Sequence, residues 1–543
     1  MAEVETGTGP APAAHAPAGA GRKLVIVGFM CAGKSRLGRL AAERLGWPLA
    51  DSDNLLEECL GEPVTSFFER EGEPAFRERE RELVLELLAA PGPAVVPLGG
   101  GAVERRDVRD ALAGHDVVYV EVGVDQAWQR GNDSGKDRPL ARDRERFAQL
   151  HATRRPLYES VATAVLADGA EKTFAFVDAL ARAGGRARMI WSAQGYPVWV
   201  GAGLLGEAGD LLADRGRCFV VADERVLELH GERLAAALGG TVDVPATLTV
   251  PSGERHKTLA EAERLLRELA RSGMQRSDTV VALGGGVLGD LAGLCAATYQ
   301  RGVAIAHVPT TVVAQVDSAY GGKTGVDLPE GKNYVGAFHQ PCAVLTDPAL
   351  LATLPHEELG AGFAEIAKTA LISGGRLWED VRALPPLRAV VEDAGGPLAA
   401  VVEACARTKL GVVAVDERDT GFRAALNLGH TFAHALESAT GYQEWRHGEA
   451  VGLGLLVALR VSEQVTGLPP AVRDDVSALL ERQGLPRTFA GPPTAELLGH
   501  MARDKKRRGT RRNLVLLRAP GDVAIECEAE EAVLSAAIEE LRV

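Results

Sequence analysis

Thr279-Val280-Val281-Ala282-Leu283-Gly284-Gly285-Gly286, running on to Gly289-Asp290, is the stretch on which the fold turns. A short apolar run of this kind makes a strand buried on both faces, and the glycine turn after it lets a backbone approach a phosphate or dinucleotide. A second apolar run ends at Pro309-Thr310-Thr311. It is followed by Ala314 to Asp327, which contains Asp317 and Gly321-Gly322-Lys323-Thr324-Gly325, and then by Gly331-Lys332-Asn333. Lys323 and Lys332 sit beside glycines that remove side-chain cover, so their ammonium groups can meet an anion closely. A single glycine turn more often serves tight packing, so the weight falls on the ordered series.

Around that stretch the chain is long: 543 residues, 46% hydrophobic and 25% charged, which predicts several globular domains with sizeable cores. The formal net charge of -14 argues against a general nucleic-acid binder but not against anionic metabolites, which a few local cations can hold. Cys31, Cys59, Cys218, Cys295, Cys342, Cys405 and Cys527 are scattered, with no C-x-x-C pair, and read as reduced cytoplasmic thiols. No apolar run is long enough to cross a membrane. Residues 1–21 are rich in Ala, Pro and Gly and read as a disordered tail, not a signal peptide.

Gly-Gly-Gly-Val-x-Gly-Asp (284–290), Ala-Ala-Thr-Tyr-x-Arg-Gly (296–302), Pro-Thr-Thr, Gln-Val-Asp-Ser, Gly-Gly-Lys-Thr-Gly-Val and Gly-Lys-Asn, in that order, resemble the nucleotide-binding half of the 3-dehydroquinate synthase family. The resemblance implies an NAD- and zinc- (or cobalt-) dependent cyclase. It would act on a heptulosonate phosphate by transient oxidation of a ring hydroxyl, loss of phosphate, hydride return and ring closure. Asp223, Glu254, Lys257, Gly285, Gly286, Asp290, Thr310, Thr311, Lys323 and Lys332 are the implied cofactor contacts. Ribose-binding carboxylates suit NAD, since they would repel the extra phosphate of NADP. Without the resemblance, Glu254 and Lys257 would read as an exposed loop pair.

From Leu350 the pattern turns mainly helical and brings the metal candidates. Spacing alone selects His430 and His434, which share a helix face. The resemblance instead implies Glu365, His430 and His447 as the zinc ligands, a carboxylate and two imidazoles that leave a position open for substrate oxygen, with His434 handling protons. It also implies a cage for a phosphorylated sugar acid from Lys323, Lys332, Asn333, Lys368, Lys409, Arg423, Lys505 and Lys506, with Asp317 and Asn427 orienting groups within it. Arg301 would complete the phosphate site across a subunit boundary, so a homodimer through this module is expected. Ala319, Tyr320 and Glu357 depart from the family pattern without removing any of these groups.

Near the N-terminus, the strand-like Leu24-Val25-Ile26-Val27 leads into Gly28-Phe29-Met30-Cys31-Ala32-Gly33-Lys34-Ser35 and a helical stretch stopped by Gly46. This is a complete phosphate loop in its proper context. Backbone amides would hold triphosphate oxygens, Lys34 would reach the outer phosphates and Ser35 would ligate magnesium. Asp51-Ser52-Asp53, Phe76-Arg77, Gly99-Gly100-Gly101, Arg138-Pro139-Leu140 and Arg154-Arg155-Pro156 follow, and in that order they resemble the shikimate kinase family. That resemblance implies Asp53, Arg77, Arg154 and the Gly99 to Gly101 backbone on shikimate, Asp51 on magnesium and Arg138 in a lid over ATP. Glu78 to Glu82 read as a solvated helix face.

Three positions depart from this pattern: Cys31, Arg36 and Pro97. Cys31 is tolerable if its φ is negative, and Pro97 removes a backbone donor. They motivate an alternative in which the phosphate-loop module is a silent nucleotide sensor. A related sugar-phosphate cyclase or polyol dehydrogenase is the rival for the second module. The predicted organisation is α/β: a P-loop parallel-sheet domain over 22–184, a Rossmann-like NAD-binding domain over 185–348 and a helical metal- and substrate-binding domain over 349–543.

Overall fold

A computed structural model of the protein describes residues 22–133, 143–167, 170–183, 186–393, 395–503 and 514–543. Arg138, Lys505, Lys506, residues 1–21 and Gly184-Gly185 lie outside the described residues. The chain forms two compact units, one ending at Trp191 and the other beginning at Ser192.

In the first unit β1 (Leu24–Val27), β2 (Val95–Pro97), β3 (Asp116–Glu121) and β4 (Ala164–Ala167) form a sheet in the order β2-β1-β3-β4, with all neighbours parallel. β5 (Arg188–Trp191) ends the unit. β1 is fully buried and opens directly into the phosphate loop. The helix that follows spans Lys34–Leu45 and ends where Gly46 turns left-handed. Leu98 N donates to Ile26 O, so the alternation of the strand points the position of Pro97's missing N–H away from β1. The donor expected to be lost therefore takes no bond to β1 with it, and faces the edge on which Val95 pairs with residues 48–50.

The second unit is built on β6 (Pro197–Val200), β7 (Cys218–Asp223), β8 (Ala246–Val250), β9 (Thr279–Gly284), β10 (Ala304–Pro309) and β13 (Ala343–Thr346), ordered β6-β13-β10-β9-β7-β8 and parallel throughout. Strand succession runs one way from β7 to β8 and the other way from β9. The switch point therefore lies at the carboxyl ends of β7 and β9, beside Asp223 and Gly284. Helices Leu259–Arg271 and Gly286–Thr298 bury Leu265, Leu269, Leu291 and Leu294 in one core with Val280 and Ile305. Thr258 caps the first of them by accepting from Glu261 N at 3.2 Å. Leu259, the first residue of that helix, is 48% exposed, because the core stripe begins one turn later at Ala262.

The antiparallel hairpin of β11 (Lys323–Leu328) and β12 (Gly331–Phe338) carries both glycine-flanked lysines. A Cβ on Gly293 would lie 2.4 Å from Thr324, so that glycine lets helix Gly286–Thr298 press against β11. Among the described residues beyond β13 the unit is mainly helical, with one hairpin of β14 (Leu514–Ala519) and β15 (Asp522–Cys527). Among the described residues no helix is long and apolar enough to cross a membrane.

Candidate functional site

Helices His356–Ser373, His430–Ala439 and His447–Val465 position the metal candidates. Their close approach is written in glycines. A Cβ on Gly448 would fall 1.8 Å from Ala361 O, and one on Gly454 would fall 2.1 Å from Gly429 O. Gly429 itself has φ 80, which turns the chain sharply into His430. Two helix N-termini, each beginning with a histidine, are thereby brought over Glu365.

His430 Nε2 lies 3.4 Å and His447 Nε2 3.3 Å from the same oxygen, Glu365 Oε1. The three donor atoms all fall within 4.8 Å of one another. Two ligand atoms each ~2.1 Å from one ion at a tetrahedral angle would be ~3.4 Å apart, so the arrangement fits a shared divalent cation. Burial alone would raise Glu365, but Lys368 and the two histidines hold it well below the usual carboxylate range. Burial pushes His430 down to about 4, leaving a neutral imidazole. Burial also lowers His447, yet hydrogen bonds to Glu365 and Glu437 carry it up to about 10, so a metal must displace that proton. His434 is not part of this trio. Its ring centre lies 5.4 Å from that of His430, beside the ligands.

Charged groups continue outward from the trio. Lys368, 1% exposed, pairs with Glu365 and donates to Asp317 Oδ2 at 2.9 Å. Lys409 closes on the other oxygen of Asp317. On the opposite side Glu437 Oε1 lies 3.5 Å from His447 Nδ1 and accepts from Lys332 at 3.3 Å. Lys332 also stands 3.9 Å from Glu254, in the turn that follows β8. Lys257 is 3% exposed and donates to Asp290 at 2.5 Å and Asn333 at 2.6 Å, so it is a buried bridge and not a loose surface cation.

The remaining candidates separate. Arg423, 1% exposed, donates to Glu417 O at 2.6 Å and Gly321 O at 3.1 Å, while its Nε is buried without a partner. Lys323 is 51% exposed and pairs with Asp419 at 2.6 Å. Asn427 donates locally to Ala424 O at 3.0 Å. Arg301 is exposed at φ 71, and no contact among the described residues joins it to the trio.

At the strand ends, a Cβ on Gly285 would lie 2.9 Å from Thr311 and one on Gly286 2.8 Å from Ser318 Oγ. Thr310 Oγ1 and Ser318 Oγ are buried without hydrogen-bond partners. Asp223 caps helix Glu224–Leu238 and accepts from Ser252 at 2.7 Å.

In the first unit Gly28 has φ 152, and a Cβ there would meet Val120 O at 2.6 Å. Gly33 has φ 96 at the start of the helix that carries Lys34 and Ser35, and Lys34 Nζ donates to Phe29 O at 3.0 Å. Cys31 does not keep a negative φ: it stands at 61°, where a side chain crowds its own backbone. Cys31→Gly is expected to stabilise this unit by about 1 kcal/mol in urea unfolding. An unchanged midpoint would show that the loop has relaxed around the cysteine.

Asp51 caps helix Ser52–Leu60 by accepting from Asp53 N at 3.2 Å. Arg77 is not on a solvated face. Its side chain is 13% exposed and pairs with Glu80 at 2.7 Å, whereas Arg79 is 62% exposed. Glu80, read from sequence as solvated, is 4% exposed, because its position on the helix turns it inward against Gly99 and Asp53. Arg154, 2% exposed, donates to Glu104 at 2.8 Å, and Tyr158 donates to Gly100 O.

Glu437, Glu104 and Asp419 were not singled out from sequence. Glu437 carried a signal, since it falls three residues after His434 and seven after His430, on the same helix face. The others carried none.

Residues 247–361 match the family described as 3-dehydroquinate synthase N-terminal, residues 362–507 match 3-dehydroquinate synthase C-terminal, and residues 30–183 match shikimate kinase. A 3-dehydroquinate synthase of Halorhodospira halophila is 46% identical over 349 residues, which are 63% of this chain and 96% of that protein. One of Azotobacter vinelandii is 45% identical over 350 residues, 63% of this chain and 94% of that protein. Among solved structures, the 2-epi-5-epi-valiolone synthase ValA from Streptomyces hygroscopicus subsp. jinggangensis 5008, with NAD+ and Zn2+ bound, is 29% identical with a TM-score of 0.59. That likeness covers 64% of this chain and 96% of that one. The chain belongs to the 3-dehydroquinate synthase family and, with a shikimate kinase domain ahead of its synthase domains, is a bifunctional enzyme of the shikimate pathway.

Proposed function

We propose that the second unit converts 3-deoxy-D-arabino-heptulosonate 7-phosphate to 3-dehydroquinate and phosphate, and that the first transfers the γ-phosphoryl group of ATP to the 3-hydroxyl of shikimate. The observation that carries the first reading is the meeting of Glu365, His430 and His447 beside Lys368, Asp317 and Lys409, with Lys332 joined to the trio through Glu437.

Glu365, His430 and His447 would hold zinc or cobalt. The N/N/O donor set and its 3.3–3.4 Å spacings fit either ion. NAD+ would lie over Gly285 and Gly286, against Thr310, Thr311, Asp223 and Asp290. The unpartnered Thr310 and Ser318 hydroxyls and the cradle that a Cβ would fill support this. When bound, the nicotinamide supplies reversible hydride acceptance and the metal supplies Lewis acidity.

This chain's residues do the rest. Lys332, Lys409 and Arg423 hold the phosphate and carboxylate, and Lys368 and Asp317 fix one another next to the reacting ring. His434, adjacent to His430, moves protons at the substrate. Arg301 is assigned to the phosphate site of a second copy, with the second unit pairing as a homodimer in the cytoplasm.

In the first unit Lys34 and Arg138 would meet ATP phosphates, and Ser35 and Asp51 would hold magnesium. Asp53, Arg77, Arg154 and the Gly99 to Gly101 backbone would hold shikimate. The corresponding domains are 22–184, 185–348 and 349–543.

Assaying the full chain with each substrate alone tests both readings. Phosphate release from the heptulosonate phosphate without net NADH, and shikimate-dependent ADP formation, are expected. Net NADH from a simple polyol would replace the cyclase with a dehydrogenase. ATP binding without shikimate-dependent ADP would make the first unit a sensor.

A further inference from the structure

Glu104 ends the 3-10 turn Ala102–Glu104, directly after the Gly99 to Gly101 run. Its backbone is pinned from both sides: its N–H donates to Gly101 O at 2.9 Å, and Arg109 donates to its carbonyl at 2.8 Å. Its side chain, 34% exposed, reaches between two arginines that are far more buried. Oε1 accepts from Arg154 Nε at 2.8 Å, and Oε2 stands 4.0 Å from Arg77 Nε.

The two arginines differ in how they are neutralised. Arg77 keeps a second, short pair with Glu80 at 2.7 Å. Arg154, with a side chain 2% exposed, has Glu104 as its one ion pair among the described residues. Arg77 Nε is buried without a hydrogen-bond partner, because 4.0 Å is too long for Glu104 to satisfy it. One carboxylate thus lies in a guanidinium pair without completing it.

We propose that Glu104 is an internal competitor for the substrate carboxylate: it occupies the Arg77 and Arg154 pair and sets the affinity of the first unit for its acidic substrate. This rests on the reading that Arg77 and Arg154 grip that carboxylate. An incoming carboxylate cannot share Arg154 with Glu104 without like-charge repulsion at ion-pair distance. Glu104 is the exposed member and its backbone is fixed, so the side chain swings out while both arginines stay. Each binding event therefore exchanges one charge-assisted pair for another, and only the orphaned Arg77 Nε and the better fork geometry favour the substrate.

The test compares Glu104→Gln and Glu104→Ala with the unaltered full chain, using shikimate and its neutral methyl ester. Shikimate KM, and its Kd by titration calorimetry without turnover, are expected to fall about tenfold in both variants, the size of one charged hydrogen bond. The change should be confined to that substrate, with KM for ATP unmoved and affinity for the ester unaltered. A shikimate KM that stays the same or rises would overturn the proposal, a rise meaning that Glu104 is a strut holding Arg154 in place. Equal gains for acid and ester would overturn it too, since charge would not be what Glu104 competes with. Arg77→Lys and Arg154→Lys separate the underlying reading, because shikimate affinity indifferent to both would remove the arginines from the substrate site altogether.

Discussion

Glu365→Ala is expected to strip the second unit of its divalent metal and to lower phosphate release from the heptulosonate phosphate by at least about a thousandfold, while shikimate-dependent ADP formation is untouched. Glu365 supplies the one carboxylate oxygen that both His430 and His447 face, at 3.4 and 3.3 Å. Without it two imidazoles remain, which is too few for a catalytic zinc site. The same substitution deprives Lys368 of its buried partner, leaving Asp317, 16% exposed, as the other. Breaking a buried pair costs about 3–5 kcal/mol, so urea unfolding belongs beside the activity assay. Glu365→Gln keeps the volume and a neutral oxygen, and separates lost charge from lost packing. Metal content by elemental analysis decides the matter. A full complement of metal in Glu365→Ala would remove Glu365 from the ligand set, whatever the activity does.

The parts of this site that were legible in sequence share a physical property: the chain there has no freedom to do otherwise. A β-branched run that stops at three glycines leaves β9 buried and its turn open, so Gly285 and Gly286 could be read directly. The phosphate loop was equally plain, because strand, glycines, lysine and helix each demand the next. Glu365, His430 and His447 were reached through the family pattern and not through spacing, which favoured His434. Helical periodicity reports which residues share one helix, but His447 comes from a second helix whose approach depends on Gly448 and Gly454. Glu80 shows the opposite failure. It sits in a run of charges that reads as solvated, and nothing local distinguishes the one carboxylate that the glycines at 99–101 leave room for. Cys31 left its condition open in sequence, because φ at a variable loop position is set by closure of the loop on β3, through Gly28 against Val120, and not by the residue itself.

Lys34→Ala is expected to abolish ATP-dependent phosphorylation, by about a thousandfold or more, and to leave phosphate release by the second unit at its original rate. Lys34 begins the helix Lys34–Leu45, and its ammonium already rests on the loop, donating to Phe29 O at 3.0 Å. Few side-chain rotors need to be ordered when phosphates arrive, so the charge contributes nearly its full electrostatic value to the developing phosphoryl transfer. Alanine removes that charge and keeps the helix, since alanine is the best helix former. Lys34→Arg restores charge but not the compact point geometry, and is expected to recover ATP affinity better than turnover. The strained Cys31 three residues earlier makes the comparison informative. If its positive φ has distorted the loop beyond use, the unaltered chain will show no shikimate-dependent ADP, and Lys34→Ala will change nothing but nucleotide affinity. If the unaltered chain turns over and Lys34→Ala does not, the loop retains its chemistry despite a side chain where backbone sterics favour glycine.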